Sequence, residues 1–280
     1  MENSILHDSL KKATNGGLAG ASAMVVQVGS LMWLRTTMNY QYRYGLSTTE
    51  SLKKLYSQGG IFRFYRGLAP ALIQGPISRF GDTAINTGVL HYCNTNENLK
   101  DLPIFVKTNL ASIGAAGWRI FTMPIDTCKT IMQVEGKNGL PMLNNKIKLG
   151  GPKVLYHGAL GAMTATYVGH FPWFFTYNYL NEHLPTYDST FKSYARNGVI
   201  GFTASVISDT CSNSIRVVKT YRQTSQNHIG YLDAAKTIVK NDGIDSLLTR
   251  GLKTRIIANG LQGLLFSVLW KYFQKNHFNS

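Results

Sequence analysis

The chain has little charge, few cysteines and none of the short motifs that mark common enzymes. Charged residues make up 15% of its 280 residues, whereas about 25% is typical of soluble proteins. Cys93, Cys128 and Cys211 are too far apart for a CxxC pair or a metal-ligand spacing. No nucleophile–base pair or phosphate-binding loop is recognisable. We therefore expect no enzymatic activity, no cofactor, no bound metal and buried free thiols.

The start of the chain lacks the usual targeting signals. Residues 1–12 include acids and have no apolar core of the kind found in secretory signals. They also lack the composition of a transit peptide, which is rich in Arg and Ser and poor in acids. Any targeting information is therefore expected to be internal.

The chain is rich in apolar residues, glycine and positive charge. It is 44% hydrophobic, contains 27 glycines and carries a formal net charge of +15. Glycine is enriched in membrane helices, and the mean hydropathy of −0.09 fits helices with one lipid-facing side and one side towards a polar cavity. The basic excess suits anionic lipids or anionic solutes. Nucleic acid is not expected as a partner, because Lys and Arg are spread along the chain and no RNA-binding or DNA-binding motif appears.

One stretch, residues 123–133, combines a proline, an acid, a base and an amide at fixed offsets. Pro124 would kink a helix, and Asp126 and Lys129 would share one helical face. Taken alone, this stretch is compatible with a bent helix and a local ion pair. However, a base, the threonine after it and an amide recur at the same offsets in residues 214–223 and 30–39. A period of about 90 residues indicates a repeat architecture.

A second recurring feature is a basic residue followed by glycine, and it gives the same period. The glycines Gly67, Gly158 and Gly251 follow Arg66, His157 and Arg250. Together the two features predict three tandem units, at residues 12–97, 102–186 and 190–276.

Each unit is predicted to contain two long helices joined by a polar segment. Short amphipathic helices are expected at 51–57 and 232–239, and a polar loop at 135–151. The long apolar segments are 13–39, 68–92, 104–133, 159–184, 194–223 and 252–273. Since a membrane span needs about 20 residues, we expect an all-α membrane protein with six transmembrane helices. The loops inside the units carry more Lys and Arg than the connections between units, which places them on the more negative side.

The pattern resembles the signature of the mitochondrial carrier family (solute carrier family 25). Its first half, Pro-x-Asp/Glu-x-x-Lys/Arg-x-Lys/Arg-x-Gln, is matched by Pro124, Asp126, Lys129 and Gln133, with Ile131 in place of the second base. The second half, an acidic-Gly stretch ending in aromatic-basic-Gly, is matched in part at 64–68, 155–158 and 242–252. The resemblance covers about residues 12–276. It implies a six-helix barrel with threefold pseudosymmetry and a central substrate site that opens alternately to the two sides of the membrane.

In this family, the acid of each unit pairs with the base of the next to close the matrix gate. Only Asp126 and Lys219 can form that pair here, because Met32 is uncharged and Arg216 would face Arg35 with like charge. The resemblance therefore implies a gate held by one ion pair, with Lys219 rather than Lys129 as the partner of Asp126. The implied gate residues are Arg35, Asp126, Lys129, Gln133, Arg216, Lys219 and Gln223.

Ionisable groups inside predicted membrane spans are candidates for function, because burying them is costly. These are Arg79, Asp82, Arg119, His170 and Asp209. Arg79 and Asp82 could instead form an intrahelical ion pair. Arg119 and Asp209 occupy equivalent depths in their units, so they could bind an anionic or zwitterionic solute together or form a structural bridge. His170 could respond to protons or simply be hydrogen-bonded.

The resemblance also implies substrate contacts seven residues after each closing glycine. These positions hold Gln74, Ala165 with its neighbour Thr166, and Ala258. None is charged, unlike the corresponding positions in nucleotide, keto-acid and basic amino-acid carriers. The resemblance and the charge of helix N-termini further suggest that Gly60 and Gly243 bind a membrane lipid such as cardiolipin.

The leading hypothesis is a monomeric solute transporter of the mitochondrial inner membrane that works by alternating access. A small anionic or zwitterionic metabolite is the expected substrate. Peroxisomes or other organelles are an alternative location. The alternative function is a non-transport adaptor or receptor with the carrier fold. The resemblance implies a second gate besides the matrix gate, and both depart from the family pattern here.

Overall fold

The computed structural model describes residues 24–95, 99–186 and 189–273, and these residues form helices and no strands. The first helix, α1, occupies residues 24–44 of the described chain. It is followed by α2 (Thr48–Ser57), α3 (Gly60–Phe64), α4 (Leu68–Thr95), α5 (Ile104–Glu135), α6 (Gly139–Gly150), α7 (Ala159–His183), α8 (Thr190–Thr224), α9 (Tyr231–Thr249) and α10 (Leu252–Phe273). Short 3-10 turns at Gly136–Asn138 and Pro152–Tyr156 flank α6.

The predicted alternation of long and short helices is present in the described residues. The long helices α4, α5, α7, α8 and α10 occupy the segments expected from the hydrophobic pattern. Proline lies inside three of them, at Pro76, Pro124 and Pro172. The exact limits of the three sequence units stay a prediction.

The six long helices form a closed ring. Extensive contacts join α4 to α5, α5 to α7 and α7 to α8, and α8 also packs on α10. On α1, Leu31 and Leu34 pack against Ala258 of α10. The other side of α1 packs on α4, where Val28 and Met32 contact Ala71. Each long helix therefore has two long neighbours, and the ring encloses a central space.

The three closing glycines allow close contact between consecutive units. Gly67 has a φ of +85°, and a Cβ there would lie 3.0 Å from the carbonyl oxygen of Lys129. A Cβ at Gly158 would lie 2.6 Å from the Gln223 side chain, and one at Gly251 would lie 2.7 Å from the Tyr42 ring. The basic-glycine feature of the sequence thus marks the points where the second long helix of one unit begins against the first long helix of another unit.

The segments between the long helices contain more helix than the sequence suggested. The prediction of a polar loop at 135–151 was wrong, because most of this segment forms α6. Leu143 of α6 is buried against Ile131 and Val154, so this segment has an apolar face after all. The helix predicted at 232–239 lies within the longer α9, which bends where Gly243 takes a φ of +82°.

None of the helices in the described ranges has both the length and the apolarity that crossing a membrane would require. The six predicted spans therefore stay a prediction.

Candidate solute cavity

A cavity of about 520 Å³ lies inside the ring, and each of its six long helices contributes to the lining. Six lining side chains are cationic, whereas Asp126 is the one acidic side chain among the described lining residues. The cations are Arg35, Arg119, Lys129, Arg216, Lys219 and Arg255. A concave surface with this excess of positive charge attracts anions, because low-dielectric walls focus the electric field.

The Asp126 carboxylate holds two lysines at once. Its Oδ1 accepts a hydrogen bond from Lys129 Nζ at 2.6 Å, and its Oδ2 accepts one from Lys219 Nζ at 2.5 Å. The expected pair with Lys219 is therefore present, but the expectation that Lys129 is not a partner was wrong. The two oxygens of one carboxylate can satisfy one lysine from its own helix, α5, and one from α8. We call these three residues the Asp126 cluster.

Two glutamines near the Asp126 cluster join neighbouring helices. Gln133 Oε1 accepts a hydrogen bond from Asn39 Nδ2 at 2.5 Å, which links α5 to α1. Gln223 Nε2 donates to Thr127 Oγ1 at 3.1 Å, which links α8 to α5. Gln133 lines the cavity, whereas Gln223 does not. Both side chains are fully buried, so these amides tie the cluster to the surrounding helices.

The positions equivalent to Asp126 in the other two units hold Met32 and Arg216, and their surroundings differ. Met32 is fully buried, contacts Val28 and Ala71, and does not line the cavity. Gln133 Nε2 lies 3.5 Å from its sulfur. Arg216 does line the cavity and donates from Nε to Ser212 Oγ at 3.3 Å.

The bridge between Arg119 and Asp209 that the sequence left open is not formed. Arg119 instead donates to Asp82 Oδ2 at 2.6 Å, joining α5 to α4. Asp209 accepts hydrogen bonds from Arg255 Nε at 2.6 Å and from Asn259, both on α10. Pseudosymmetry put the two residues at one depth but could not show which neighbouring helix each would contact. The Arg79 side chain lies outside the described residues, so its proposed pair with Asp82 is not tested.

The three predicted contact positions have different surroundings. Gln74 lines the cavity and accepts a hydrogen bond from Lys129 Nζ at 3.0 Å. Thr166 and Ala258 also line it. Ala165 is fully buried and does not. Of the two candidates on α7, Thr166 faces the cavity and Ala165 does not, so Thr166 is the one that could contact a solute.

His170 lines the cavity and has a hydrogen-bond partner. Its Nδ1 lies 2.8 Å from Ser112 Oγ, across the contact between α7 and α5. The simple hydrogen-bonded alternative accounts for this contact. Within the described residues, no group of three His, Cys, Asp or Glu side chains could hold a metal ion.

Polar residues of α10 line the cavity and were missed from sequence. Arg255, Asn259 and Gln262 all face it. Their spacing of four and three residues puts them on one side of a helix. This polar stripe on an otherwise apolar segment was the available signal.

Two cations bind the carboxyl-terminal ends of α5 and α8. Arg63 donates to the carbonyl oxygens of Gln133 at 2.8 Å and Val134 at 2.6 Å, at the end of α5. Lys146 donates to the carbonyl oxygens of Gln223 at 3.0 Å and Ser225 at 2.8 Å, at the end of α8. These carbonyls have no partner within their own helix, so a cation is favoured there. Burial lowers the pKa of Lys146 to about 8, so its amine is still mainly charged at neutral pH.

The predicted lipid positions lie outside the cavity. Gly60 has a φ of +59° and begins α3, and Gly243 has a φ of +82° within α9. Gly151, before the second 3-10 turn, has a φ of +72°. Lipid binding at Gly60 and Gly243 stays a prediction.

Comparison with known proteins gives the class. The family model described as "Mitochondrial carrier protein" matches residues 100–188 and 191–279. The chain therefore belongs to the mitochondrial carrier protein family, whose members are solute transporters rather than enzymes. A search of curated proteins gave no match.

Proposed function

We propose that the protein transports a small anionic metabolite across the mitochondrial inner membrane by alternating access. Family membership supports solute transport in general. The observation that carries the substrate class is the excess of cations in the cavity, six against one acid among the described lining residues. That excess favours an anion over a zwitterion, because a zwitterion would also need carboxylates for its cationic group.

The size of the cavity is compatible with a small metabolite. Sites for small molecules typically have volumes of about 300–1,000 Å³, and this cavity has about 520 Å³. Arg119 lines the cavity from α5, and its guanidinium retains donors beyond its bond to Asp82. We propose that these donors contact the solute.

The Asp126 cluster supplies a gate in this mechanism. Its pair with Lys219 joins α5 to α8 at 2.5 Å, and its pair with Lys129 lies within α5 at 2.6 Å. Ion pairs are strengthened where the dielectric constant is low. Opening the cavity on that side requires the Lys219 pair to break, because its partners belong to different units. Until it breaks, this pair favours the form that is closed on that side.

The proposal also includes a multi-pass, monomeric protein with lipids at Gly60 and Gly243. Both glycines have positive φ, Gly60 at the start of α3 and Gly243 at the bend of α9. Backbone amides in such conformations can bind an anionic headgroup.

Uptake into proteoliposomes tests the function. The panel should contain dicarboxylates, tricarboxylates, nucleotides, inorganic phosphate, and neutral, zwitterionic and basic amino acids. We expect uptake of at least one anion and none of the basic amino acids. Uptake confined to cations or zwitterions would contradict the proposed substrate class. No uptake and no ligand-induced thermal shift with any solute would favour the adaptor or receptor alternative.

Variants at the Arg119–Asp82 pair separate binding from structure. Arg119→Ala removes both roles, whereas exchanging the charges (Arg119→Asp with Asp82→Arg) keeps an ion pair but moves the guanidinium to α4. We expect the exchange variant to regain most of the thermal stability lost by Arg119→Ala while uptake stays at least tenfold below wild type. Full recovery of uptake in the exchange variant would show that Arg119 is purely structural.

A further inference from the structure

Arg216 differs in its partners from four other cations of the cavity, Arg119, Lys129, Lys219 and Arg255. Lys129 and Lys219 share Asp126, Arg119 holds Asp82, and Arg255 holds Asp209. Arg216 makes a hydrogen bond to a neutral hydroxyl, that of Ser212 at 3.3 Å. No carboxylate among the described residues lies within ion-pair distance of it.

This arrangement leaves binding capacity that faces the cavity. A guanidinium has five N–H donors in a planar fork that matches a carboxylate or phosphate, and the bond to Ser212 uses one. Removing a charged group from water without a counterion is costly. A polar lining and an anion from the cavity would both reduce that cost.

The neighbouring residues add to the attraction for an anion. Lys219 is three positions after Arg216, so both side chains lie on one face of α8. Arg255, on α10, and Lys219 line the same cavity. An anionic group bound at Arg216 would therefore also be attracted by Lys219 and Arg255. Lys219 shares its carboxylate, Asp126, with Lys129, and Arg255 is paired with Asp209.

We propose that Arg216 binds the anionic group of the solute, a carboxylate or a phosphate, and that this bound anion replaces the carboxylate missing from this gate position. The inference rests on the proposed function and deepens it, because it makes the solute a part of the gate. The bound anion offsets the repulsion among Arg216, Lys219 and Lys129, which have Asp126 as their one acid in the lining. Anion binding therefore stabilises the conformation described here, in which the Asp126 cluster is closed.

Thermal unfolding of the purified full chain in detergent, with inorganic phosphate as the probe, tests the inference. The phosphate series is compared with chloride at equal ionic strength, so that general screening cancels. We expect phosphate to raise the unfolding temperature of the wild type in a saturable manner, as binding to the folded state requires. Arg216→Gln should weaken that effect at least tenfold in phosphate concentration. Lys153→Gln, an equal charge change at an exposed site outside the cavity, should keep the wild-type response.

Arg216→Glu is the more diagnostic variant, since it supplies the carboxylate from the protein. We expect a higher unfolding temperature without phosphate than in Arg216→Gln, and no specific phosphate effect. If Arg216→Gln does not fold, Arg216→Lys is measured, and its phosphate response should fall severalfold because the bidentate fork is lost. A wild type that does not respond to phosphate or sulfate beyond chloride would overturn the inference. So would a wild-type response in either Arg216→Gln or Arg216→Lys.

Uptake measurements distinguish failure of this inference from failure of the proposed function. Anion uptake by the wild type with an unchanged phosphate response in Arg216→Gln would reject the role of Arg216 and keep the transporter. A phosphate response that depends on Arg216, without uptake of any solute, would keep the anion site and reject transport.

Discussion

Helices α5 and α8 carry the same pattern of base and glutamine but opposite charges at the acid position. Asp126 of α5 binds two lysines within 2.6 Å, whereas Arg216 of α8 faces the cavity and contacts a serine hydroxyl. The surrounding framework is alike in both, with a buried glutamine and a cation at each carboxyl-terminal end. Framework and charge therefore vary independently between the two helices. Under our proposals, the charge decides whether this position closes the ring or binds a ligand.

The largest effect is expected from Asp126→Asn, which makes α5 resemble α8 in lacking the gate carboxylate. Lys129 and Lys219 would stay in a mostly buried site without their shared counterion. Breaking a buried pair by removing one partner typically costs about 3–5 kcal/mol, and we expect a loss of that order in the free energy of unfolding. Chemical or thermal unfolding in detergent measures it.

The control for this change is Asp245→Asn, which removes a carboxylate from an exposed position of α9. Its effect should stay within about 0.5 kcal/mol, as is usual for surface substitutions. Equal effects of the two variants would contradict the central role given to Asp126.

A second prediction concerns the acid position of α1 and extends the comparison to the third unit. Met32→Glu restores the acid that the family pattern contains, but Met32 is fully buried among Val28 and Ala71. Gln133 Nε2, near the Met32 sulfur, could donate to one carboxyl oxygen. The other polar atom would lie among apolar neighbours, and burying it without a partner costs about 1–3 kcal/mol. We expect Met32→Glu to destabilise the protein by that amount, unlike Arg216→Glu, whose side chain faces the cavity.

Met32→Leu serves as the matched variant, because it keeps the volume and the apolar character. It should unfold within about 1 kcal/mol of the wild type. A gain in stability from Met32→Glu would contradict this prediction, because it would require the new carboxylate to reach a cation such as Lys129. A carboxylate at position 32 of α1 would then act like one at position 216 of α8.

A third prediction tests whether the ends of α5 and α8 are stabilised in the same way. Arg63→Met and Lys146→Met each remove a cation that donates to two carbonyl oxygens. Since hydrogen bonds to charged groups contribute about 1.5–3 kcal/mol, we expect each variant to lose about 2 kcal/mol in unfolding experiments. Lys148→Met, an exposed neighbour on α6, is the control, and a loss equal to that of Lys146→Met would refute the assignment.

The repeat period and the apolar segments were sufficient to predict the long helices, because helix length and hydrophobic pattern are local properties of the sequence. Helix α6 was missed since its apolar face is short and interrupted by lysine and asparagine. Side-chain partners across helices were harder to predict. Arg119 pairs with Asp82 rather than with Asp209. The sequence could not predict this, because pseudosymmetry gives the depth of a residue but not the direction of its side chain. The double role of Asp126 needed the actual positions of both lysines.

The smallest expected effect comes from the short helix α2, far from the charges compared above. Ser47 caps it by accepting a hydrogen bond from the Glu50 amide, and the Glu50 carboxylate accepts hydrogen bonds from Ser47 in return. Ser47 and Glu50 therefore form a capping box. We expect Ser47→Ala to lower the free energy of unfolding by about 1 kcal/mol, as measured in detergent, while Ser57→Ala at the other end of α2 changes it less.

The pH dependence of the wild type gives an independent test of that capping box. Hydrogen bonds from the Ser47 side chain and backbone lower the pKa of Glu50 below its ordinary value. The folded protein therefore holds this proton less tightly than the unfolded chain does. The stabilisation is fully present above the ordinary glutamate pKa and is lost as the pH falls through the lowered value. The difference between wild type and Ser47→Ala should accordingly shrink on acidification, and a difference that stays constant to below the folded pKa would show that Glu50 does not take part in the cap.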